Sequence, residues 1–266
     1  LYAGVGDGLL AVDAGDGTER WRRSLDGDGS TTVATMPDSD WLLAARGETL
    51  SRVGTEEGAV QWSRRLVGTV VGAATYPTRL AAVATEAGKL YLLGGEGTAY
   101  GEVTLPSRPR TPPVAGSDGV YVNCLDGRTY GVVLEQPPRN DVDWSVETGW
   151  AEAGMAVHDD LYVAGTQGLT AIDPDSGEKR WSESTGTDGD TAPVLGRDTL
   201  FVGGDALYAF DPTPESGLLD GGGPALRFSE SFHGGVGPGP VVDDGRLYAV
   251  VETAEETHEL LAFDPA

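Results

Sequence analysis

The feature that most constrains the fold is an internal repeat of about 40 residues. A Leu-Tyr run, a second apolar run ending in aspartate and then a tryptophan occupy residues 1–21, and the same order returns over residues 161–181. Diverged copies fill the rest of the chain, and their first apolar runs start near positions 1, 41, 80, 120, 161, 200 and 247. Seven copies at nearly constant spacing predict seven equivalent units within one domain over residues 1–266.

Each copy divides into short runs that are typical of β-strands. The runs are rich in Val, Tyr and Leu, and Asp-Gly pairs at Asp7, Asp126 and Asp244 favour hairpins between them. A further run, often preceded by proline, comes before the Leu-Tyr run of every copy except the first, as at Val114 and Val194. Four strands in about 40 residues is typical of a propeller blade. We therefore predict an all-β fold, a seven-bladed β-propeller of four-stranded antiparallel blades.

The two ends of the chain bear on how such a propeller closes. The first copy lacks its first strand, and the last copy lacks its fourth. Either these two blades have three strands each, or flanking sequence completes them. An additional blade from flanking sequence would make eight, and the strand count favours seven.

Composition agrees with many short strands and does not predict a membrane-spanning segment. The chain has 40 glycines and 16 prolines, yet 39% of its residues are hydrophobic, so a core is divided into short pieces by turns. No apolar run is long enough to predict a membrane-spanning segment. No leader is recognisable at the start, but the chain begins at Leu1 rather than Met, which leaves a leader or lipid anchor open.

Charge excludes one class of partner. Lys and Arg number 18 against 42 Asp and Glu, which gives a net charge of −24, and Lys89 and Lys179 are the only lysines. Such a chain repels polyanions, so nucleic-acid binding is not expected. The acidity fits either a site for cations or basic partners, or adaptation to high salt. Because the carboxylates are spread along the whole chain, adaptation of a salt-loving organism is the favoured interpretation.

One spaced motif recurs within the repeat, with the pattern Ala-x-Asp-x-x-x-Gly-x-x-x-Trp. It is complete at Ala11, Asp13, Gly17 and Trp21, and at Ala171, Asp173, Gly177 and Trp181. It is partial at Gly58 and Trp62, with Trp144 at the corresponding place in another copy. We expect the indole to lie across the gap between neighbouring blades and to donate its N–H to a backbone carbonyl. The aspartate would close the turn, and the glycine would supply the positive φ.

This spacing resembles the tryptophan-docking motif of the pyrroloquinoline-quinone-like (PQQ-like) propeller family, and the resemblance covers the whole chain. It implies the propeller fold and a structural role for the motif, but no particular activity. The family contains quinone-dependent dehydrogenases, which hold the quinone with calcium, an aspartate base, a tryptophan floor and commonly a disulfide between adjacent cysteines. It also contains non-catalytic scaffold members.

The chain departs from the dehydrogenase pattern. Cys124 is the only cysteine and is expected as a buried strand residue, and Asn123 and Asn140 are the only asparagines. Trp150, near an inner strand, would either face the propeller axis or pack. We therefore expect neither quinone nor calcium as a cofactor. A quinone- or metal-dependent oxidoreductase, or a degenerate descendant of one, is kept as the alternative.

The other candidate sites have ordinary structural interpretations. The histidines His158, His233 and His258 fall in three different copies without metal-ligand spacing. Acidic turns at residues 26–29, 173–177 and 188–190 resemble calcium loops, but hydrated surface turns are favoured over cation binding. The stretches 135–140 and 212–224 are irregular, and they are either recognition loops or tolerated insertions.

Taken together, the sequence predicts a non-catalytic, monomeric propeller that presents a rigid face or its axial funnel to another protein. No catalytic, cofactor-binding or metal-binding residue is assigned. An extracytoplasmic or cell-surface location is favoured, and a cytoplasmic one is left open.

Overall fold

Every regular element of the structure, a computed structural model, is a β-strand. It describes residues 1–36, 39–76, 80–133, 141–214, 223–237, 239–243, 245–252 and 257–263. The strands form seven antiparallel sheets, each built from consecutive strands. The prediction of an all-β chain with seven units is confirmed. Within these residues we find no helix long and apolar enough to cross a bilayer.

The first three sheets follow the repeat in order. Sheet 1 contains β1 (Tyr2–Val5), β2 (Gly8–Val12) and β3 (Glu19–Ser24). Sheet 2 contains β4 (Thr31–Thr35), β5 (Trp41–Arg46), β6 (Thr49–Gly54) and β7 (Val60–Arg65). Sheet 3 contains β8 (Val70–Thr75), β9 (Leu80–Thr85), β10 (Lys89–Gly94) and β11 (Ala99–Thr104).

Sheets 4 to 7 repeat the same strand order. Sheet 4 contains β12 (Val114–Ala115), β13 (Gly119–Asn123), β14 (Arg128–Val133) and β15 (Trp144–Glu147). Sheet 5 contains β16 (Met155–Val157), β17 (Leu161–Gly165), β18 (Gly168–Ile172) and β19 (Lys179–Glu183). Sheet 6 contains β20 (Val194–Gly196), β21 (Thr199–Val202), β22 (Ala206–Pro214) and β23 (Pro224–Ser231). Sheet 7 contains β24 (Val241–Asp243), β25 (Arg246–Glu252) and β26 (His258–Phe263).

The strand count agrees with the repeat. In the part of the chain that the structure describes, sheets 1 and 7 have three strands and the other five have four. Strands β12, β20 and β24 begin directly after a proline, whose missing N–H would interrupt a strand ladder. Whether these two sheets have three strands in the protein or are completed by flanking sequence stays a prediction.

One stretch is more regular than the sequence indicates. The sequence predicts an irregular stretch over residues 212–224, but β22 continues to Pro214 and β23 begins at Pro224. Asp211 pairs with Ala225, so the hairpin ladder extends beyond the point where other sheets turn. The expectation is therefore wrong at both ends of this stretch. The stretch 135–140 lies outside the described residues.

The chain divides into two compact units, and each has its core between adjacent sheets. Unit 1 comprises Leu1–Val122 and Val132–Asp143, and unit 2 comprises Asn123–Gly131 and Trp144–Ala266. In unit 1, Leu43 of β5 and Val83 of β9 belong to one buried cluster. In unit 2, Leu169 of β18 and Leu200 of β21 do the same. Each such side chain contributes about 1.5–3 kcal/mol when fully buried. The expectation of one domain over residues 1–266 stays a prediction.

A bulge recurs at one position of the repeat. In these sheets an aromatic side chain of the fourth strand lies opposite a residue of the third strand. The pairing register between the two strands shifts directly after that residue. The opposite pairs are Ala11 with Trp21, Arg52 with Trp62, Ala171 with Trp181 and Ala209 with Phe228. A bulge bends a strand and increases its twist. Because the bulge recurs beside these pairs, it sets the direction in which each aromatic ring projects from its sheet.

Candidate interaction site

Three motif tryptophans donate hydrogen bonds to the following sheet. The indole N–H groups of Trp21, Trp62 and Trp144 bond the backbone carbonyls of Thr55, Gly95 and Pro174 at 3.0, 2.9 and 3.0 Å. Each carbonyl lies in the turn that follows the third strand of the next sheet. A buried indole N–H needs such an acceptor, so these contacts tie neighbouring sheets together within each unit.

Three turn glycines face these indoles. Gly58, Gly97 and Gly177 have φ of +65°, +74° and +73°, a region that favours glycine. A Cβ placed on them would lie 2.5, 3.2 and 2.6 Å from the rings of Trp21, Trp62 and Trp144, respectively. Each glycine therefore allows both the turn and the close approach of the ring. The sequence motif does not identify Gly97, because the residue four positions after it is Gly101 rather than a tryptophan.

The motif aspartates and alanines occupy the turn and the strand before it. Asp13 Oδ1 accepts the N–H of Gly15 at 2.9 Å, and Asp173 Oδ1 accepts two backbone N–H groups at 3.0 Å. The bond from the Ser176 N–H is the main cause that lowers the pKa of Asp173. Ala11 and Ala171 are buried opposite their tryptophans.

Trp181 differs from the other three. It is 5% exposed, and its indole nitrogen has no hydrogen-bond partner in the described ranges. In sheet 6 the strand β22 runs on to Pro214 instead of turning after Asp211. The longer hairpin therefore takes the place of the turn whose backbone carbonyl would accept the indole N–H of Trp181.

Charged side chains near Trp181 are paired with one another. Arg180 bonds Asp160 at 2.6 Å and Asp173 at 2.7 Å, and the equivalent Arg227 of sheet 6 bonds Asp198 and Asp211 at 3.2 and 3.0 Å. Burial raises the pKa of Asp160, and the charge of Arg180 opposes that rise. These pairs border a groove of about 540 Å³, and each arginine in them is shared between two carboxylates.

Trp150 lies outside the motif and is presented differently. It follows β15 in the connector to sheet 5, and 48% of its surface is exposed. Its backbone is held on both sides by Thr166. The Trp150 N–H bonds Thr166 Oγ1 at 3.2 Å, and the Thr166 N–H bonds the Trp150 carbonyl at 2.9 Å. The backbone of Trp150 is thus held by two hydrogen bonds, while about half of the residue's surface is exposed to solvent.

A buried asparagine fixes the two neighbours of Trp150. The Asn123 amide N–H₂ donates to the Gly149 carbonyl at 3.0 Å, and its oxygen accepts the Ala151 N–H at 3.0 Å. The same amide bonds the hydroxyls of Thr129 and Thr148 at 3.1 Å. Asn123 is fully buried, so every polar atom of its side chain is used in the protein interior.

Apolar and acidic side chains surround Trp150. Leu125, 42% exposed, lies in the adjoining turn, and the Gly127 carbonyl of that turn accepts the N–H groups of residues 148 and 149. Exposed carboxylates flank this site at Asp126, Glu152, Asp188 and Asp190. We call Leu125, Trp150 and these four carboxylates the Trp150 surface. It joins two large exposed apolar side chains with an acidic border.

Of the other reactive groups of unit 2, Cys124 and Tyr130 are buried, whereas His158 is exposed. Burial raises the pKa of the Cys124 thiol to about 12, and Cys124 is fully buried as expected. Burial is also the first cause that raises the pKa of Tyr130 to about 12, and its hydroxyl bonds Asp126. His158 lies in the turn between β16 and β17, as the sequence predicts.

The described residues do not fit a quinone and calcium site. They contain no group of three or more His, Cys, Asp or Glu side chains arranged to hold a metal ion, including at the acidic turn 188–190. The Asn123 amide is consumed by protein partners, and Trp150 lies in a connector rather than on an inner strand. Asn140 is outside the described residues. We therefore derive no reaction step through these groups.

Comparison with known proteins adds a family and a fold. The model of the PQQ_2 family, described as outer membrane protein assembly factor BamB, matches residues 6–266. The crystal structure of BamB from Moraxella catarrhalis has a TM-score of 0.69 and 19% identity, over 98% of this chain and 81% of that chain. The Cps50 (Swd1) β-propeller domain of Myceliophteria thermophila has a TM-score of 0.62 and 14% identity, over 91% and 88%. No curated protein matches the chain. At these identities the two structures show the β-propeller fold alone.

Proposed function

The chain belongs to the PQQ_2 family of BamB-like repeat proteins, and on that premise we propose that it is a non-catalytic scaffold that binds another protein through the Trp150 surface. One observation carries the proposal: Trp150 is half exposed although its backbone and both neighbours are fixed by hydrogen bonds. The family description, an assembly factor, supports a role in holding proteins together.

The geometry of Trp150 suits protein binding. Tryptophan is enriched among the few residues that carry most of an interface's binding energy. Immobilising flexible groups weakens association, and here the connector is ordered before any partner arrives. The buried Asn123 amide contributes to this order, because it holds the backbone on both sides of Trp150.

The border of the Trp150 surface defines the partner. Its exposed carboxylates at Asp126, Glu152, Asp188 and Asp190 favour a basic surface around an apolar pocket that receives the indole. The net charge of −24 would speed encounter with such a partner and discourage acidic ones.

The cellular setting follows from the family and from the composition. We propose an extracytoplasmic or cell-surface location, supported by the outer-membrane role in the family description. We also propose a salt-loving source, supported by 42 acidic against 18 basic residues with only two lysines. Fractionation of the producing cells tests the location, which is contradicted if the protein is recovered with the cytoplasm.

A photo-crosslinking amino acid at position 150 tests the proposed function in the producing cells. We expect a discrete adduct with one protein that is missing when the same amino acid replaces Val60, an exposed residue of β7. A Leu125→Asp substitution in the position-150 variant should reduce the adduct, because it places charge inside the apolar contact. Equal adduct patterns at positions 150 and 60 would contradict the proposal.

A further inference from the structure

The hairpin turn between β20 and β21 contains an arginine where glycine is expected. Gly196 pairs with Thr199, so Arg197 and Asp198 are the two residues of the turn. Arg197 has a φ of +49°, and within the described ranges it is the one residue other than glycine whose φ is positive. Two-residue hairpins with a positive φ favour glycine, and in the corresponding hairpin of sheet 7 Gly245 has the positive φ, +76°. Arg197 is therefore kept at a backbone cost that glycine would avoid, and such residues concentrate at functional sites.

The side chain of Arg197 is exposed and unpaired. It lines the groove of about 540 Å³ together with Arg180 and Arg227, and each of those two arginines is shared between two carboxylates. The Arg197 guanidinium, in contrast, forms no hydrogen bond or ion pair with any residue that the structure describes. Neither packing nor pairing within the described part of the fold therefore accounts for this arginine.

Arg197 also lines a second cavity, of about 670 Å³, at the junction of sheets 6 and 7. Phe201 and Val242 form its apolar lining, and both pack in the hydrophobic cluster that joins these two sheets. At its border the Arg227 guanidinium bonds the Thr199 hydroxyl at 2.6 Å. A cavity of about 300–1,000 Å³ with apolar walls and a few placed polar groups is typical of a small-molecule site.

We propose that this cavity binds a small apolar carboxylic acid, such as a medium-chain fatty acid, with its carboxylate on the Arg197 guanidinium and its apolar part against Phe201 and Val242. A guanidinium presents paired N–H donors that match the two oxygens of a carboxylate. Arg227 is less suited to this role, because its Nη1 and Nη2 already bond Thr199 and two aspartates. The cavity shares no residue with the Trp150 surface, so the inference is independent of the proposed function.

Titration of the chain with octanoate, followed by its amide chemical shifts in nuclear magnetic resonance, tests the proposal. We expect a Kd in the millimolar range, as for a ligand of so few atoms, with the largest shifts at Arg197 and Gly245. Octanamide lacks the charge and acetate lacks the apolar part, so each should bind at least about 10-fold more weakly. Absence of shifts at these two amides, or equal affinity for octanoate and octanamide, would overturn the proposal.

A carboxylate on an apolar group can also come from the C-terminus of a peptide, and a second titration distinguishes this source. An acetylated tripeptide of leucine with a free C-terminus should bind more weakly than octanoate, because apolar walls offer its peptide groups no hydrogen-bond partner. Tighter binding of the tripeptide would overturn the assignment to a small acid.

Arg197→Gly separates a binding role from a structural one. It removes the guanidinium and relieves the positive φ, so octanoate should bind at least about 10-fold more weakly while the thermal midpoint stays the same or rises. Arg20→Ala, which removes an exposed arginine of β3, is the control for lost charge and should bind octanoate like the unaltered chain. Unchanged affinity in Arg197→Gly, or an equal loss of affinity in Arg20→Ala, would overturn the proposal. A lower midpoint for Arg197→Gly than for Arg20→Ala would overturn it too, because it would show that Arg197 serves the stability of the fold.

Discussion

Trp144 and Trp150 are six positions apart and have opposite environments. Trp144 is 9% exposed and bonds the Pro174 carbonyl, whereas Trp150 is 48% exposed in a connector held by Asn123 and Thr166. The same side chain is therefore buried and hydrogen-bonded to the next sheet in one place and half exposed in the other. Burial and hydrogen bonding, not residue type, decide which role each can have.

Stability should separate the two tryptophans. Trp144→Ala removes a buried ring and should lower the free energy of unfolding by about 3–5 kcal/mol. Trp150→Ala should lower it by less than about 1 kcal/mol, because the backbone bonds of residue 150 remain and its side chain is half exposed. Urea denaturation of both variants measures the difference, and equal losses would contradict the assigned roles.

Cys124 offers a second test at the residue scale. Its thiol is fully buried, and its pKa is raised to about 12, so almost no thiolate exists at neutral pH. We expect no reaction with a disulfide reagent in the folded protein and one equivalent after denaturation. Rapid labelling of the native protein at pH 7 would show that β13 and its neighbours open more readily than the buried position indicates.

At the strand and turn level, a glycine after three of the described third strands couples one sheet to the indole of the sheet before it. Gly58, Gly97 and Gly177 each lie against such a ring. Gly17 of sheet 1 has a similar φ, but a methyl group placed on it would meet no other described atom within 4 Å. Turn geometry and ring contact can therefore be separated within one molecule.

Gly177→Ala and Gly17→Ala make that separation measurable. Both place alanine at positive φ, near +73° and +72°, at a cost of about 1 kcal/mol. Gly177→Ala also brings a methyl group to 2.6 Å from the Trp144 ring, so the ring must move and its docking weakens. We expect a clearly lower thermal midpoint for Gly177→Ala than for Gly17→Ala. Equal midpoints would mean that ring contact contributes nothing to stability.

The sequence predicts elements better than it predicts the site. Strand order, the prolines before first strands and the position of Cys124 follow from local patterns that repeat. The Asn123 clamp does not, because its partners Gly149 and Ala151 lie 26 and 28 residues away in another strand connection. The exposure of Trp150 is also a tertiary result, since nothing in its local sequence distinguishes it from a packed ring. The extension of β22 to Pro214 does not follow from the sequence either, because proline and glycine mark turns in most contexts.

At the scale of the whole molecule, acidity is the dominant property. With 42 carboxylates against 18 cations, the folded chain bears strong self-repulsion in dilute buffer. Several of the arginines are committed to pairs such as Arg180 with Asp160 and Asp173, so they offset little of the remaining charge. The compact state should therefore depend on the ionic strength of its surroundings.

Thermal unfolding in increasing KCl measures this dependence. Salt screens repulsion that is stronger in the compact state than in the expanded one, so we expect the midpoint to rise continuously from dilute buffer to molar KCl. A neutral osmolyte at equal osmolality is the control and should give a smaller rise. An unchanged or falling midpoint in KCl would contradict adaptation to high salt.

If the Trp150 surface binds another protein, removing the indole must weaken that complex, and the affinity of the complex measures this. The protein that crosslinks to position 150 would be purified and titrated against the unaltered chain, Trp150→Ala and Val60→Ala. We expect Trp150→Ala to bind at least about 30-fold more weakly, as for a residue worth about 2 kcal/mol at an interface, with only a small change in its thermal midpoint. Val60→Ala should bind like the unaltered chain. Equal affinity of Trp150→Ala and the unaltered chain would contradict the claim.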